Sequence, residues 1–330
     1  MQKKILVLLC GGTLIMVENK EGVLAPPSQE DALQSFLKLE PKLKTWADID
    51  VAFISNIDSS DMSPDLWDQI AQTISDRYSH YDGFVITHGT DTLAFTASAL
   101  SFSLGNIGKP VIITGAQIPG DHLDSDAKRN VINAVRFALM DISGVYVVFD
   151  NHLILGARST KLSHYKLEAF VSVNSSPVAE IGAHIEFLSS VPKRHKISPQ
   201  LKLGFDPNIT VISLVPGMPI TLLNTLLESG VHGIVLIAYG TGNVSHGYLP
   251  FLKVARDKRI PIVITTQCIE GGTRMNTYET GKEALKLNAI EVYDMSREST
   301  VTKLMWALKR AKYEEIRALM QQNLVGELRS

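Results

Sequence analysis

Cysteine is scarce in this chain: Cys10 and Cys268 are the only two in 330 residues. That excludes a disulfide framework and a cysteine-rich metal set, and it fits a reducing compartment. An excess of one charge is lacking too, with 32 Lys and Arg against 34 Asp and Glu for a net −2. Without a basic surplus, neither nucleic acid nor an anionic membrane surface is an expected partner. No apolar run is long enough to span a bilayer. Met1-Gln2-Lys3-Lys4 before an apolar run has the look of a signal peptide, yet its apolar core is too short and no small-x-small cleavage site follows. Leu9 before Cys10 also fits a lipoprotein signal poorly. A cytoplasmic protein is therefore expected. The histidines show no HxxxH or similar ligand spacing, so no metal site is expected.

What is present is an alternation of short apolar runs with helical patterns. Ile5–Leu9, Val51–Ile54, Phe84–Thr87, Val111–Thr114 and Gly144–Phe149 read as strands. Helices are expected over Gln29–Leu39, from Ser63-Pro64 to about Arg77, over Phe95–Leu104 and over Ser125–Met140. Such alternation predicts an α/β fold with a mostly parallel sheet flanked by helices. Residues 17–28, rich in Gly, Pro and charge, read as an irregular loop. Residues 153–187 are irregular, with short β-like pieces near Arg158-Ser159-Thr160-Lys161. Proline and basic residues then mark a linker, and the alternation restarts with strands at 211–214, 233–238 and 262–265. Helices follow near 220–227, 247–256, 300–310 and 313–322. The expected division is a larger domain over 1–190, a linker over 191–208 and a smaller α/β domain over 209–330.

Chemistry gathers where strands end. Phe84-Val85-Ile86-Thr87 runs into His88-Gly89-Thr90-Asp91-Thr92, placing a hydroxyl and a carboxylate beyond the carboxyl end of a buried strand. Ligands bind at that edge in open α/β sheets. Two readings stand: Thr90 or Asp91 caps the next helix, or both serve a site. A second strand ends in Cys10-Gly11-Gly12-Thr13, where the glycines permit a sharp turn and close approach to a small ligand. It is neither a dinucleotide fingerprint, lacking the third glycine, nor a phosphate loop, lacking Gly-Lys-Ser/Thr. Threonine is a weak nucleophile without a base. Lys161 is a candidate, since a desolvated lysine can surrender its proton, and Asp91 could orient it in the manner of a Ser-His-Asp triad. A solvated surface cation is the competing reading. Asp58-Ser59-Ser60 is a third polar cluster after a strand, serving either a polar ligand or a turn before Ser63. His88, between a buried strand and Gly89, is read as structural.

Taken together, these residues make the chain resemble the bacterial-type L-asparaginases, most of all their cytoplasmic type I branch, over nearly its whole length. Gly11-Gly12-Thr13 and His88-Gly89-Thr90-Asp91-Thr92 match the two family signatures. Asp58-Ser59-Ser60-Asp61-Met62, Thr114-Gly115-Ala116-Gln117, and Ser125-Asp126 through Arg129-Asn130 follow in order and distance. The resemblance implies hydrolysis of L-asparagine to L-aspartate and ammonia with no cofactor. It implies that Thr13 attacks the side-chain amide, and that Thr90, Lys161 and Asp91 form a second, triad-like set acting through water. Asp58, Ser59 and Ser60 would hold the substrate's α-amino and α-carboxylate groups, with Asp91 reaching the ammonium. A homodimer or dimer of dimers, with sites near a subunit interface, is implied as well. A zwitterionic substrate does need a carboxylate for its ammonium and donors for its carboxylate. Attack on an amide builds an oxyanion, which each aimed donor stabilises by about 3–4 kcal/mol.

Two departures stand out. The family's tyrosine a dozen residues after the nucleophile is replaced in the region of Val23-Leu24, and the chain's first tyrosine is Tyr78. Tyr278, in a glycine-rich loop after the 262–265 strand, is the candidate substitute, against a role in capping or packing. Allosteric relatives carry an arginine just before the segment matching Tyr239-Gly240, where this chain has Ile237-Ala238. Whether an allosteric asparagine site exists therefore stays open. An asparaginase-like component of a tRNA-dependent amidotransferase is a weaker reading, because that protein has an extra amino-terminal domain and the first strand here is expected from residue 4. A non-catalytic amino-acid sensor would bind asparagine and release no ammonia. Minor glutaminase activity stays open, since one methylene is worth only about 1–3 kcal/mol of discrimination.

Overall fold

A computed structural model describes residues 2–12, 14, 17–18, 24–25 and 28–329. The chain divides into two compact units, Met1–Leu203 and Gly204–Ser330. The first is built on an eight-stranded sheet. Five of its strands are parallel and lie in the spatial order 48–53, 4–9, 83–87, 110–114, 144–149, with 48–53 at the edge. Strands 152–155, 179–181 and 185–187 extend one edge in antiparallel fashion.

Strands Lys4–Leu9, Gly83–Thr87 and Pro110–Thr114 are buried almost throughout, which explains their unbroken apolar runs. Alternate residues serve opposite faces. Ile5, Val7 and Leu9 pack with Val131 and Val135 of helix Ala127–Ala138. Leu6, Leu8, Phe84 and Ile86 pack with Ile70 of helix Pro64–Asp76 and with Leu93 and Leu100 of helix Leu93–Leu104. The mostly parallel sheet flanked by helices is thus the architecture expected. Ser63 holds the N-cap position before Pro64 but makes no side-chain cap bond. Most of the 17–28 loop lies outside the described residues, and within it Val17–Glu18 pairs antiparallel with Leu24–Ala25.

Residues 192–203 lie along the first unit. The Arg194 guanidinium donates to the carbonyls of Met140 (2.6 Å), Ala138 (2.7 Å) and Asp82, covering acceptors that the helix and strand ends leave over. Lys202 N–H donates to Ser103 O, and Leu201 and Leu203 cover the core beneath helix Leu93–Leu104.

The second unit is a four-stranded parallel sheet in the order 209–213, 233–238, 262–266, 290–291. Helices Ile220–Glu228, Leu249–Asp257, Glu279–Lys286, Arg297–Leu308 and Tyr313–Gln321 accompany it. Strand Ile290–Glu291 and helix Glu279–Lys286 were not expected from the sequence. No helix among the described residues is long and apolar enough to cross a membrane.

Candidate active site

The site follows from strand order. From strand 4–9 the chain passes to 48–53 on one side, while 83–87, 110–114 and 144–149 build outward on the other. The carboxyl ends of 4–9 and 83–87 therefore flank the topological switch point, the place where ligands bind in open α/β sheets. Gly11 and Gly12 turn there with φ of +86° and +92°. A Cβ on Gly12 would lie 2.3 Å from Gly89 N, and one on Gly89 would lie 2.7 Å from Ser59 Cβ. Three loops meet here with no atom to spare. Thr13 itself lies outside the described residues.

Helix Leu93–Leu104 starts two residues earlier than expected, and Thr92 occupies its N-cap position. Thr90 and Asp91 consequently stand ahead of the cap and belong to the loop. Thr92 does not cap through its side chain either; its hydroxyl donates to Ser59 O at 2.7 Å, tying this loop to the Asp58 turn.

Lys161 ends the short strand Ser159–Lys161, which pairs antiparallel with Phe170–Ser172. Its Nζ stands 2.7 Å from Thr90 Oγ1 and 2.7 Å from Asp91 Oδ1. Thr90 is buried and the Lys161 side chain is only 17% exposed, whereas that of Asp91 is 70% exposed. A solvated surface cation does not describe this lysine. The contacts are charge-assisted and short, and they form a continuous path from a buried hydroxyl through an amine to a carboxylate at the surface. Nζ is the donor in both bonds, to the Thr90 hydroxyl oxygen and to the Asp91 carboxylate.

The Asp58 turn completes the described part. Asp58 caps the 3-10 turn Ser59–Asp61, its Oδ1 accepting from Ser60 N–H at 2.8 Å. The Ser60 N–H and hydroxyl hold the Asp58 carboxyl below the usual carboxylate range, so it is ionised at neutral pH and suited to an ammonium. Ser59 is buried against Gly89, and Ser60 is exposed.

Beyond strand 110–114 sits buried Asp126, whose carboxylate accepts from Gln117 N–H, Ile118 N–H and Asn130 Nδ2 at 3.0–3.1 Å. Asn130 in turn donates to Gly115 O and accepts from Asp150 N–H. The loop so held sends Gln117 Nε2 to the carbonyls of Ser163 and Lys166, just beyond Lys161. The stretches 114–117 and 125–130 thus hold the turn that follows Lys161, a use that their sequence alone does not disclose. Tyr278 belongs to the second unit, precedes helix Glu279–Lys286, makes no side-chain cap bond there and is 54% exposed.

A buried hydroxyl, a lysine and a carboxylate at the switch point of a doubly wound sheet are the equipment of a hydrolase. Similarity to known proteins narrows the class. Residues 4–193 match the family described as Asparaginase, N-terminal, and residues 208–320 match the Glutaminase/Asparaginase C-terminal domain. The chain belongs to the asparaginase family. It is 38% identical to the L-asparaginase of Thermococcus kodakarensis, covering 98% of this chain and 99% of that protein. It is 40% identical to L-asparaginase 1 of Escherichia coli K12, covering 99% of each. The crystal structure of L-asparaginase I from Vibrio cholerae superposes with a TM-score of 0.89 at 37% identity, over the full length of both chains. A component of the glutamyl-tRNA(Gln) amidotransferase of Pyrococcus furiosus is also similar, at 34% identity over 98% of this chain and 76% of that one.

Proposed function

We propose that this protein is an L-asparaginase, hydrolysing L-asparagine to L-aspartate and ammonia through a threonyl ester. The observation that carries this reading is Lys161 Nζ at 2.7 Å from both Thr90 and Asp91. Full-length similarity to L-asparaginases supports the choice of substrate. Thr13 Oγ attacks the side-chain amide carbon, its proton passes to the leaving nitrogen, and ammonia departs. Water, deprotonated through Thr90 and Lys161, then attacks the ester and restores the Thr13 hydroxyl. Asp91 orients Lys161 and faces the substrate ammonium, beside Asp58. Ser59 and Ser60 stand for the α-carboxylate, and Tyr278 supplies a phenol in place of the absent loop tyrosine. A cytoplasmic homodimer or dimer of dimers is the proposed form.

The test is ammonia release from asparagine, from glutamine and with no substrate, measured side by side without tRNA or nucleotide. Release from asparagine is expected, with glutamine at most a minor substrate. Binding of asparagine without ammonia would replace this reading with that of a sensor.

A further inference from the structure

Thr90 is held at its side chain by Lys161, but its backbone is set from behind by three residues outside the catalytic set. His88 is completely buried, with Nδ1 2.7 Å from Gly89 O and Nε2 2.8 Å from Thr96 Oγ1. Thr96 is equally buried on helix Leu93–Leu104, and its Oγ1 also receives the indole N–H of Trp67 at 3.0 Å. An indole nitrogen only donates and a carbonyl only accepts, so Trp67 donates to Thr96 and His88 donates from Nδ1 to Gly89 O. Complete burial keeps the ring neutral, which leaves Nε2 without a proton. Thr96 therefore gives its own hydrogen to His88 Nε2.

We propose that His88 is a positioning residue for Thr90, and that Trp67 and Thr96 act by selecting the tautomer that positions it. The Gly89 carbonyl and the Thr90 N–H belong to one planar peptide unit. Pinning that oxygen sets the plane of the amide and hence the direction in which Thr90 leaves it. The opposite tautomer would present a lone pair to the Gly89 carbonyl and release the unit. The neighbourhood leaves little room for compensation: a Cβ on Gly115 would lie 2.4 Å from His88 O, and one on Gly89 would meet Ser59. A fixed amide at Thr90, with Lys161 on its hydroxyl, meets the geometric demand of proton transfer at that atom.

This inference rests on the catalytic reading of Thr90, and the experiment separates the two. Thr96→Val keeps shape while removing both the acceptor for Trp67 and the donor to His88; Thr96→Ser keeps the hydroxyl. Expected for Thr96→Val is a kcat lowered by about tenfold to a hundredfold with KM changed less than about twofold. Thr96→Ser is expected to restore most of that loss. The 15N spectrum of histidine-labelled intact protein at pH 7 should show a ring protonated at Nδ1 in the wild type and a mixed tautomer in Thr96→Val. Trp67→Phe, which deletes the donor at the head of the chain, is the second variant should valine prevent folding, and a smaller shift in the same direction is expected. A wild-type His88 protonated at Nε2 overturns the proposal, as does a variant with altered tautomer and unchanged kcat. A wild type that releases no ammonia overturns the catalytic reading, and the positioning role with it.

Discussion

Gly12 and Gly89 are pressed together across the switch point, with 2.3 Å between Gly89 N and the place where a Cβ on Gly12 would be. Backbone is on both sides of this contact, so no side chain can swing away to relieve it. Gly12→Ala carries the further strain of φ +92°. Gly12→Ala must therefore separate the Cys10 loop from the Thr90 loop, whereas Gly89→Ala presses on the Ser59 side chain of the Asp58 turn, and a misplacement near 1 Å costs about a hundredfold in rate. Gly105→Ala is the control: it shares a positive φ of +53° but has open space around it. It is expected to lose about 1–3 kcal/mol of stability and keep kcat. Comparable kcat values for Gly12→Ala and Gly105→Ala would mean that the loop contact is not needed for turnover.

The central strands were legible because double burial leaves unbroken apolar runs, as in Leu6–Leu9 and Val111–Ile113, and burial on one face writes the helical period of Pro64–Asp76. Helix Glu279–Lys286 was not, because it meets its neighbours through Gly281 and Ala284 instead of large apolar side chains. A Cβ on Gly281 would lie 2.1 Å from Met275 O. Strand Ile290–Glu291 is too short to show any period. At the site, the sequence marks Thr90, Asp91 and Lys161 by type and by resemblance. The 70 residues separating Lys161 from Asp91 are closed only by the fold. Trp67 and Thr96 carried no signal at all, since a buried tryptophan on a helix reads as packing until its N–H is seen to have a partner.

Lys161 should be irreplaceable by arginine. A guanidinium keeps the charge beside Asp91 but does not give up a proton. If Lys161 moves the Thr90 proton, Lys161→Arg and Lys161→Met should both lower kcat by about a hundredfold or more, in company with Thr90→Val. The double variant Lys161→Met/Thr90→Val should be little worse than either single, because members of one unit are not additive. An arginine variant with most of its activity would reduce Lys161 to an electrostatic support.

Tyr278→Phe removes one oxygen from a half-exposed ring, so its effect on stability should be small. As a catalytic phenol it should cost about a hundredfold in kcat with an unchanged melting temperature. Turnover within about twofold of wild type would return Tyr278 to packing.

The second unit holds an ion pair with both partners fully buried, Lys303 Nζ to Glu327 Oε1 at 2.5 Å. The ammonium also donates to Met320 O and Gln322 O, and the carboxylate accepts from Leu324 and Val325 N–H, fastening the end of the chain to helix Arg297–Leu308. Removing one partner leaves a buried charge uncompensated. Glu327→Ala is expected to cost about 3–5 kcal/mol in unfolding free energy, read by denaturant titration. A loss below about 1 kcal/mol, typical of exposed pairs, would show that water reaches Lys303 in solution.

His88 should make stability depend on pH in one direction only. Burial lowers its pKa from 6.5 to about 4, because the ring is cut off from the water that would solvate its charged form. Below pH 6.5 the unfolded chain takes up a proton that folded His88 refuses, so the unfolded state is favoured as pH falls. The contribution is fully present above about pH 6.5, declines through the interval between 6.5 and 4, and is lost below. Its size is about 3 kcal/mol, from roughly 1.4 kcal/mol per unit of difference. Replacing the ring by a neutral amide, as in His88→Asn, removes this dependence while costing stability at neutral pH. The measurement is unfolding free energy at several pH values between about 7 and 4 for both proteins. The wild type should fall by about 3 kcal/mol more than His88→Asn across that range, since the other histidines contribute to both alike. Parallel curves would mean that folded His88 accepts a proton as readily as a solvated imidazole. The one-way donor chain from Trp67 to Gly89 would then not be the state of the protein in solution.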